Sequence, residues 1–227
     1  MEQPLQRFSI QEMMRELREA EHENRTADFS YKLLPEFSFS KREINASLNF
    51  KGSTIQGAVY FDGCAINGYI NLEKSLIYTT LYISKSKVRG DLIAKEIKIR
   101  EIVNLTASNF RKNITFEQAD VMGFLGLNQV RVNGDINMNK VVTKDIKTKT
   151  GITKGDIYLR GAKVNGSVSL EEASAEGLGN FENTLIAENL NLKNAKFKGV
   201  LILSGTIIEG DVNTEGLQCK NLIAHMT

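Results

Sequence analysis

The residue types most often used in catalysis are scarce in this chain. Its 227 residues include two histidines, His22 and His225, and two cysteines, Cys64 and Cys219. None of the four has other metal-binding side chains beside it at ligand spacing, and the two cysteines make no disulfide framework. Gly-x-Ser-x-Gly and the glycine-rich nucleotide-binding motifs are absent from the sequence. We therefore expect a protein that is not an enzyme and that holds no cofactor or metal.

Lysine is the one chemically active residue type that clusters. Between residues 140 and 154, five lysines accompany a single acid, Asp145. If this segment bulges outward as a loop, its ammonium groups would meet phosphate or an acidic protein surface. The alternative is a solvated loop whose charge keeps the molecule soluble. The candidate partner or nucleic-acid contacts are Lys140, Lys144, Lys147, Lys149 and Lys154.

The composition is that of an ordinary globular protein, with 41% hydrophobic and 25% charged residues and a net charge of +2. No apolar run is long enough to span a membrane. The first residues lack the basic stretch and apolar stretch of a secretory signal. We expect a cytoplasmic protein without a membrane partner.

An eleven-residue period runs through the apolar residues. Within each unit they form pairs separated by one residue, which is the period of a strand and not of an eleven-residue coiled coil. Successive pairs advance by alternating steps of five and six residues. The clearest series is Val59, Ile70, Leu81, Leu92, Val103, Ile114, Leu125 and Ile136.

Glycine marks the longer of the two steps. Because glycine adopts positive φ more readily than other residues, we expect left-handed backbone at these turns. The glycines at this position are Gly57, Gly68, Gly90, Gly123, Gly134, Gly155, Gly166, Gly177, Gly199 and Gly210.

Strands that turn every five or six residues predict an all-β solenoid. Four short sides give a coil of about 22 residues, in which each strand pairs in parallel with its copy one coil away and inward pairs stack into apolar columns. The register runs from Phe37 to Cys219 and slips by one residue between Met138 and Ile157. This length predicts about eight to nine coils.

Several units consist of a small residue, a polar residue and an apolar residue: Ala162-Lys163-Val164, Ala195-Lys196-Phe197, Ala119-Asp120-Val121 and Cys64-Ala65-Ile66. This pattern resembles the pentapeptide-repeat family over roughly residues 36–224, with a sixth residue in every second unit. The resemblance implies a right-handed quadrilateral β-helix. Some family members resemble duplex DNA and act on topoisomerases. The bactofilin group, which forms polymers of triangular β-helices, fits the 11+11 rhythm less well.

The first 35 residues predict a cap for this solenoid. Ser9 and Glu12 have the spacing of a capping box, and Met13, Leu17 and Ala20 form a helical apolar stripe. We assign residues 1–35 to an N-terminal α-helical cap with a linker, and residues 36–227 to the solenoid. The helix either covers the first coil as a lid or docks on a partner.

Apolar residues near the other end suggest self-association. In the predicted register Ile202 and Ile207 point outward, whereas Leu201, Leu203 and Ile208 face the core. Exposed apolar residues beside an open coil are typical of contacts between copies, so Ile202 and Ile207 are candidates for a homodimer contact. The alternatives are a plug formed by the terminal residues, or isolated surface isoleucines without a role.

These observations favour a non-catalytic macromolecule-binding module, a rigid rod that engages a protein partner. A narrower form is an inhibitor or protector of a nucleic-acid enzyme such as a topoisomerase. Strict DNA mimicry is disfavoured because residues 36–227 carry 24 basic and 20 acidic side chains. The alternatives are a self-assembling, bactofilin-like scaffold and direct DNA binding through the lysine-rich segment.

Overall fold

In the computed structural model, which describes residues 5–224, the chain forms a parallel β-solenoid of about ten turns with one helix near the N-terminus. Each strand pairs in parallel with strands 21 or 22 residues away along the chain. The strands form four columns, which we name sides 1 to 4 in chain order. The predicted four-sided solenoid is confirmed, and the three-sided alternative is wrong.

The strands of the four sides alternate along the chain. Side 1 contains β1 Gln6–Arg7, β3 Lys32–Leu34, β7 Thr54–Ile55, β11 Leu76–Ile77, β15 Lys98–Ile99, the first part of β19 Asp120–Gly126, the first part of β22 Val142–Lys147, β25 Lys163–Val164, β29 Leu185–Ile186 and β32 Ile207–Ile208. Side 2 contains β4 Phe37–Ser40, β8 Val59–Asp62, β12 Leu81–Ser84, β16 Val103–Asn104, the second parts of β19 and β22, β26 Val168–Ser169, β30 Leu190–Asn191 and β33 Val212–Asn213.

Sides 3 and 4 complete each coil. Side 3 contains β5 Glu43–Ile44, β9 Ala65–Ile66, β13 Lys87–Val88, β17 Asn109–Phe110, β20 Arg131–Val132, β23 Ile152–Thr153, β27 Ser174–Ala175, the first part of β31 Lys196–Ile202 and the first part of β34 Gln218–Ile223. Side 4 contains β2 Ala27–Asp28, β6 Leu48–Asn49, β10 Ile70–Asn71, β14 Leu92–Ile93, β18 Ile114–Thr115, β21 Ile136–Asn137, β24 Ile157–Tyr158, β28 Gly179–Asn180 and the second parts of β31 and β34.

The core consists of the inward pairs stacked coil upon coil. Phe61, Leu72, Ile83 and Phe116 are all fully buried in one continuous apolar cluster. Because successive coils place the same inward position directly above its predecessor, each side chain packs mainly on its neighbours in the adjacent coils. The predicted inward assignment is confirmed at these positions.

Left-handed backbone occurs at the corners from side 4 to side 1 and from side 2 to side 3, and not at the glycines predicted to adopt it. Most residues with positive φ are not glycine; Lys74 and Gln118, for example, have φ of 56° and 58°. From Lys41 to Lys140 they recur every eleven residues: Lys41, Gly52, Gly63, Lys74, Lys85, Glu96, Ala107, Gln118, Gln129 and Lys140. The expectation of positive φ at the series Gly57 to Gly210 is wrong.

Close approach between coils explains that glycine series instead. These residues form the other two corners, from side 1 to side 2 and from side 3 to side 4. A Cβ atom on Gly90 would lie 2.6 Å from the backbone N and Cα of Tyr69, and one on Gly199 would lie 2.8 Å from the carbonyl group of Gly177. Such contacts are shorter than real Cβ atoms make, so a side chain would push the two coils apart.

The predicted register slip is a shortened corner. The pairing of β19 with β22 shifts by one residue between Val121 and Phe124, and the chain on the far side is shorter by one residue. Thr143 is buried there, and its hydroxyl donates a hydrogen bond of 2.8 Å to the carbonyl of Gly123. Since residues Val142–Lys147 form a strand, the expectation of an outward loop is wrong.

The N-terminal helix α1, Ile10–Glu23, occupies the place of sides 2 and 3 in the incomplete first turn. Its capping box between Ser9 and Glu12 is present as predicted. Met13, Leu17 and Ala20 are buried in the core cluster. The helix therefore packs on the first coil as a lid.

The solenoid begins before residue 36. Strands β2 and β3 pair with β6 and β7 of the next coil, and β1 pairs with β3. The assignment of residues 1–35 to a cap and linker is thus too long, because the apolar pattern of this first turn is interrupted by the helix. The extra strands account for a coil count above the predicted eight to nine.

Candidate functional site

The five candidate lysines are distributed around one coil. Lys140 lies at the corner before side 1, and Lys144 lies between sides 1 and 2. Lys147 lies on side 2, Lys149 between sides 2 and 3, and Lys154 beyond side 3. All five are exposed, but the coil separates them onto different sides. They do not form one flat surface.

Two of these lysines have acidic partners. The ammonium of Lys147 lies 3.5 Å from the Asp145 carboxylate and 5.1 Å from the centre of the Phe124 ring. The ammonium of Lys149 lies 3.3 Å from the carboxylate of Glu171, in the next coil.

Lys149 belongs to a set of ion pairs between coils that follow two corners of the rod. Residues 22 positions apart alternate in sign, so each cation faces a carboxylate of an adjacent coil at 2.8–3.7 Å. The pairs are Lys51–Glu73, Lys74–Glu96, Lys95–Glu117, Lys149–Glu171, Arg160–Glu182 and Lys193–Glu215. Because all are partly exposed, each stabilises the fold by at most about 1 kcal/mol.

The candidate self-association residues lie on the flanks of the rod. Ile207 is 51% exposed on side 1, and Ile202 is half-buried on side 4. The inward residues of the last described coil are also accessible, since no described coil covers them: Val212 is 42% and Leu222 is 45% exposed. Sequence reasoning missed Val212 and Leu222 because it classified inward positions as buried.

Cys64 is a small core residue, as expected. Its thiol donates to the carbonyl of Phe39 at 3.3 Å, and burial raises its pKa above the ordinary value. Cys219 is partly buried in the last described coil, and His22 is exposed on α1. His225 lies outside the described residues. Within residues 5–224 there is no cluster of metal-binding side chains and no helix able to cross a membrane.

An aromatic and apolar surface lies at the corner between sides 1 and 2. We define the aromatic surface as Tyr60, Tyr78, Tyr82, Arg100 and Met122. Tyr78, Arg100 and Met122 occupy the same position in three successive coils, with Arg100 lying 4.2 Å above the Tyr78 ring and Met122 69% exposed. Beside them the Tyr60 and Tyr82 rings stack at 5.1 Å. The eleven-residue period explains inward residues only, so it gave no sign of this surface.

The aromatic surface continues into a depression beside the helix. This depression has a volume of about 410 Å³, and its apolar walls are Phe8, Ile10, Leu33 and Pro35. Gln56 also lines it and lies one coil before Tyr78 in the same column. The depression and the aromatic surface thus form one strip along the N-terminal half of the rod.

The coil geometry is consistent with the pentapeptide-repeat family. No protein-family profile and no curated protein matches the sequence. Among solved structures, the chain is similar to HetL, a pentapeptide repeat protein involved in heterocyst differentiation regulation from the cyanobacterium Nostoc sp.. The identity is 14%, the match covers 96% of this chain and 97% of HetL, and the TM-score is 0.25. A likeness at this level carries no argument about function.

Proposed function

We propose that the protein is a non-catalytic repeat module that binds a protein partner through the aromatic surface. The observation that carries this proposal is the alignment of Tyr78, Arg100 and Met122 on three adjacent coils. Tyrosine, arginine and methionine are the residue types enriched at the centres of protein interfaces. Exposed apolar groups held together on a rigid scaffold favour binding, because little conformational entropy is lost when the partner docks.

The test compares two variants that remove equally exposed side chains from the same side. Tyr78 and Leu185 are each 39% exposed, and they lie five coils apart. Wild type, Tyr78→Ser and Leu185→Ser are used to capture proteins from extracts of the source cells. Each captured protein is then purified, and its affinity for the three chains is measured directly.

A partner that uses the aromatic surface binds wild type and Leu185→Ser alike and binds Tyr78→Ser at least about 10-fold more weakly, the scale of an interface hot spot. Met122→Ser has the same effect in a smaller degree. If every captured protein binds wild type and Tyr78→Ser equally, the proposal is rejected.

The narrower form of this function assigns the partner to the nucleic-acid enzymes. Its test is a DNA-relaxation assay with purified topoisomerase, in which wild type inhibits or protects the enzyme and Tyr78→Ser does not. An assay in which wild type leaves relaxation unchanged removes this form and leaves the general binding function intact.

We also propose homodimer formation through the last described coil. The exposed inward residues Val212 and Leu222 support it, since apolar surface left open at a coil end is buried when a second copy docks there. In such a dimer Ile202 and Ile207 lie at the rim, since they belong to the flanks.

A further inference from the structure

Side 3 carries a second surface, on the opposite side of the core from side 1. In four successive coils, side 3 and its corners present seven exposed cations and no acid within residues 85–89, 107–112, 129–133 and 150–154. We define the basic face as these seven residues: Lys85, Lys87, Arg89, Arg111, Lys112, Arg131 and Lys154. Acids return only in the flanking coils, at Glu43 before it and at Glu172 and Glu176 after it.

The strand ladder holds these cations close together. Lys87, Asn109 and Arg131 are successive partners in parallel register. Arg89 and Arg111 occupy the column two residues further on. Neighbouring strands are about 4.8 Å apart, and like charges directly opposite one another destabilise a sheet. A bound polyanion would relieve this repulsion.

The cations of the basic face have no protein partner. Among residues 5–224, none of the seven lies within 4.0 Å of a carboxylate, although the corner lysines elsewhere on the rod are paired. The acids at the adjoining corner are Asp91, Asp135 and Asp156. Each uses one carboxylate oxygen to accept a backbone N–H from the next coil, at 2.7–3.0 Å. These carboxylates are therefore directed along the corner.

The surface between the cations is a shallow furrow with polar walls. Two adjoining depressions of about 410 Å³ and 630 Å³ share Lys87 and Asn109. Their other lining residues include Asn67, Arg89 and Arg111, and the exposed apolar residue here is Ile152.

We propose that the basic face binds the phosphate backbone of a duplex nucleic acid. Arginine, lysine and asparagine are the residue types that contact phosphates. Four strands at about 4.8 Å spacing extend about 14 Å along the rod, close to the major-groove width of about 12 Å, so the cations reach phosphates on both strands.

Other polyanions fit this surface less well. No exposed aromatic residue lies among the cations, whereas single strands bind by stacking on aromatic rings. An acidic protein would find no apolar or aromatic centre of the kind that interfaces use. The basic face shares only Lys154 with the lysine-rich segment considered from the sequence, so the two surfaces are separable by mutation.

The experiment measures binding of a labelled 25-base-pair duplex DNA of random sequence to the full chain, as a function of salt. The test variant is Arg89→Ala/Arg111→Ala/Arg131→Ala. The control variant is Lys98→Ala/Lys144→Ala/Lys163→Ala, which loses the same charge from exposed positions on side 1 and its corner. Circular dichroism and thermal unfolding establish that both variants are folded.

We expect the test variant to bind DNA at least about 10-fold more weakly at 100 mM salt, with a log–log salt slope reduced by about one for each lost phosphate contact. We expect a change of less than about 3-fold in the control. A duplex RNA of the same length separates the two sources of backbone phosphate, and binding to either through the basic face supports the proposal.

Three results would overturn the proposal. Equal weakening by both variants would show that only net charge matters. Undetectable binding of wild type to either duplex at 50 mM salt would remove the site. Tighter binding to polyglutamate or to phosphatidylserine vesicles than to duplex, lost in the same test variant, would assign the face to an acidic protein or a membrane.

Discussion

Phe116 lies fully buried in the inward column of side 4, whereas Lys98 is exposed on side 1. We expect Phe116→Ala to lower the free energy of unfolding by about 3–5 kcal/mol, because it leaves a cavity between neighbouring coils. Lys98→Ala changes it by less than about 0.5 kcal/mol. Urea denaturation of both variants measures the difference. Equal effects at the two positions would contradict the inward assignment.

The two kinds of corner respond oppositely to substitution. Gly199→Ala is expected to destabilise the protein by about 1–3 kcal/mol, because its Cβ atom meets the Gly177 carbonyl. Gln118→Gly is expected to be neutral or stabilising by up to about 1 kcal/mol, because glycine adopts φ near 58° without strain. Thermal unfolding of the two variants tests this contrast. A stabilising Gly199→Ala would restore the view that backbone freedom selects the glycines.

The sequence was sufficient to locate these glycines but not to explain them. Recurrence at one position shows that a side chain is excluded there. It does not distinguish a positive φ from a collision with the preceding coil, as at Gly90 and Tyr69. The coordinates of two adjacent coils are needed to make that distinction.

At the scale of elements, the strands and the helix were predictable because each has a local pattern. Alternating inward residues such as Ile114 and Phe116 define the strands, and Ser9 with Glu12 defines the start of α1. The shortened corner near Thr143 was located only within a range, because one missing residue leaves the flanking patterns intact. Its direction, inward and not outward, depends on packing.

The attachment of α1 to the first coil is expected to weaken in acid. Partial burial raises the pKa of Glu16, but hydrogen bonds from Arg25 and from the Asp28 N–H outweigh it and leave the pKa below 4.5. A lowered pKa in the folded state stabilises at neutral pH, and this contribution is lost as the pH falls below 4.5 through the folded-state pKa.

Glu16→Gln tests this linkage. At pH 7 we expect the variant to be less stable than wild type by about 1 kcal/mol, the scale of a partly exposed ion pair. The difference should shrink steadily between about pH 4.5 and pH 3, measured by denaturant unfolding at each pH. A difference that does not change with pH would contradict the assigned role of this carboxylate.

At the scale of the whole molecule, surfaces depend on residues one coil apart. The lysines at 140–154 are close in sequence, yet one coil places them on different sides. Arg89 and Arg111 are 22 residues apart, yet they are neighbours. A search by sequence proximity therefore missed the basic face and the aromatic surface. Aligning the sequence at 22 residues, with the one-residue shift placed at 143–145, would have found both.

Self-association through the last described coil is tested by two matched aspartate variants. Val212 and Ile207 are 42% and 51% exposed, but Val212 belongs to the inward column and Ile207 to the flank. We expect Val212→Asp to be monomeric by light scattering at concentrations where wild type and Ile207→Asp are dimeric. The reverse ranking would assign the contact to the flank, and a monomeric wild type would remove the dimer.

The stacking of one coil on the next determines which side chains share a side, so both proposed surfaces depend on it. Thr115 and Asn137 are direct partners on side 4 although 22 residues separate them, whereas Met122 is only seven residues from Thr115 but lies at another corner. Paired cysteines can be introduced at these positions after Cys64→Ser and Cys219→Ser remove the native thiols.

The most direct measurement is disulfide formation under mild oxidation, quantified by mass spectrometry of the folded protein. Stacked coils predict rapid and nearly complete closure of Thr115→Cys with Asn137→Cys, since partners about 4.8 Å apart lie within disulfide range. They predict no closure of Thr115→Cys with Met122→Cys. Closure of the second pair, or failure of the first in a folded protein, would contradict the 22-residue coil.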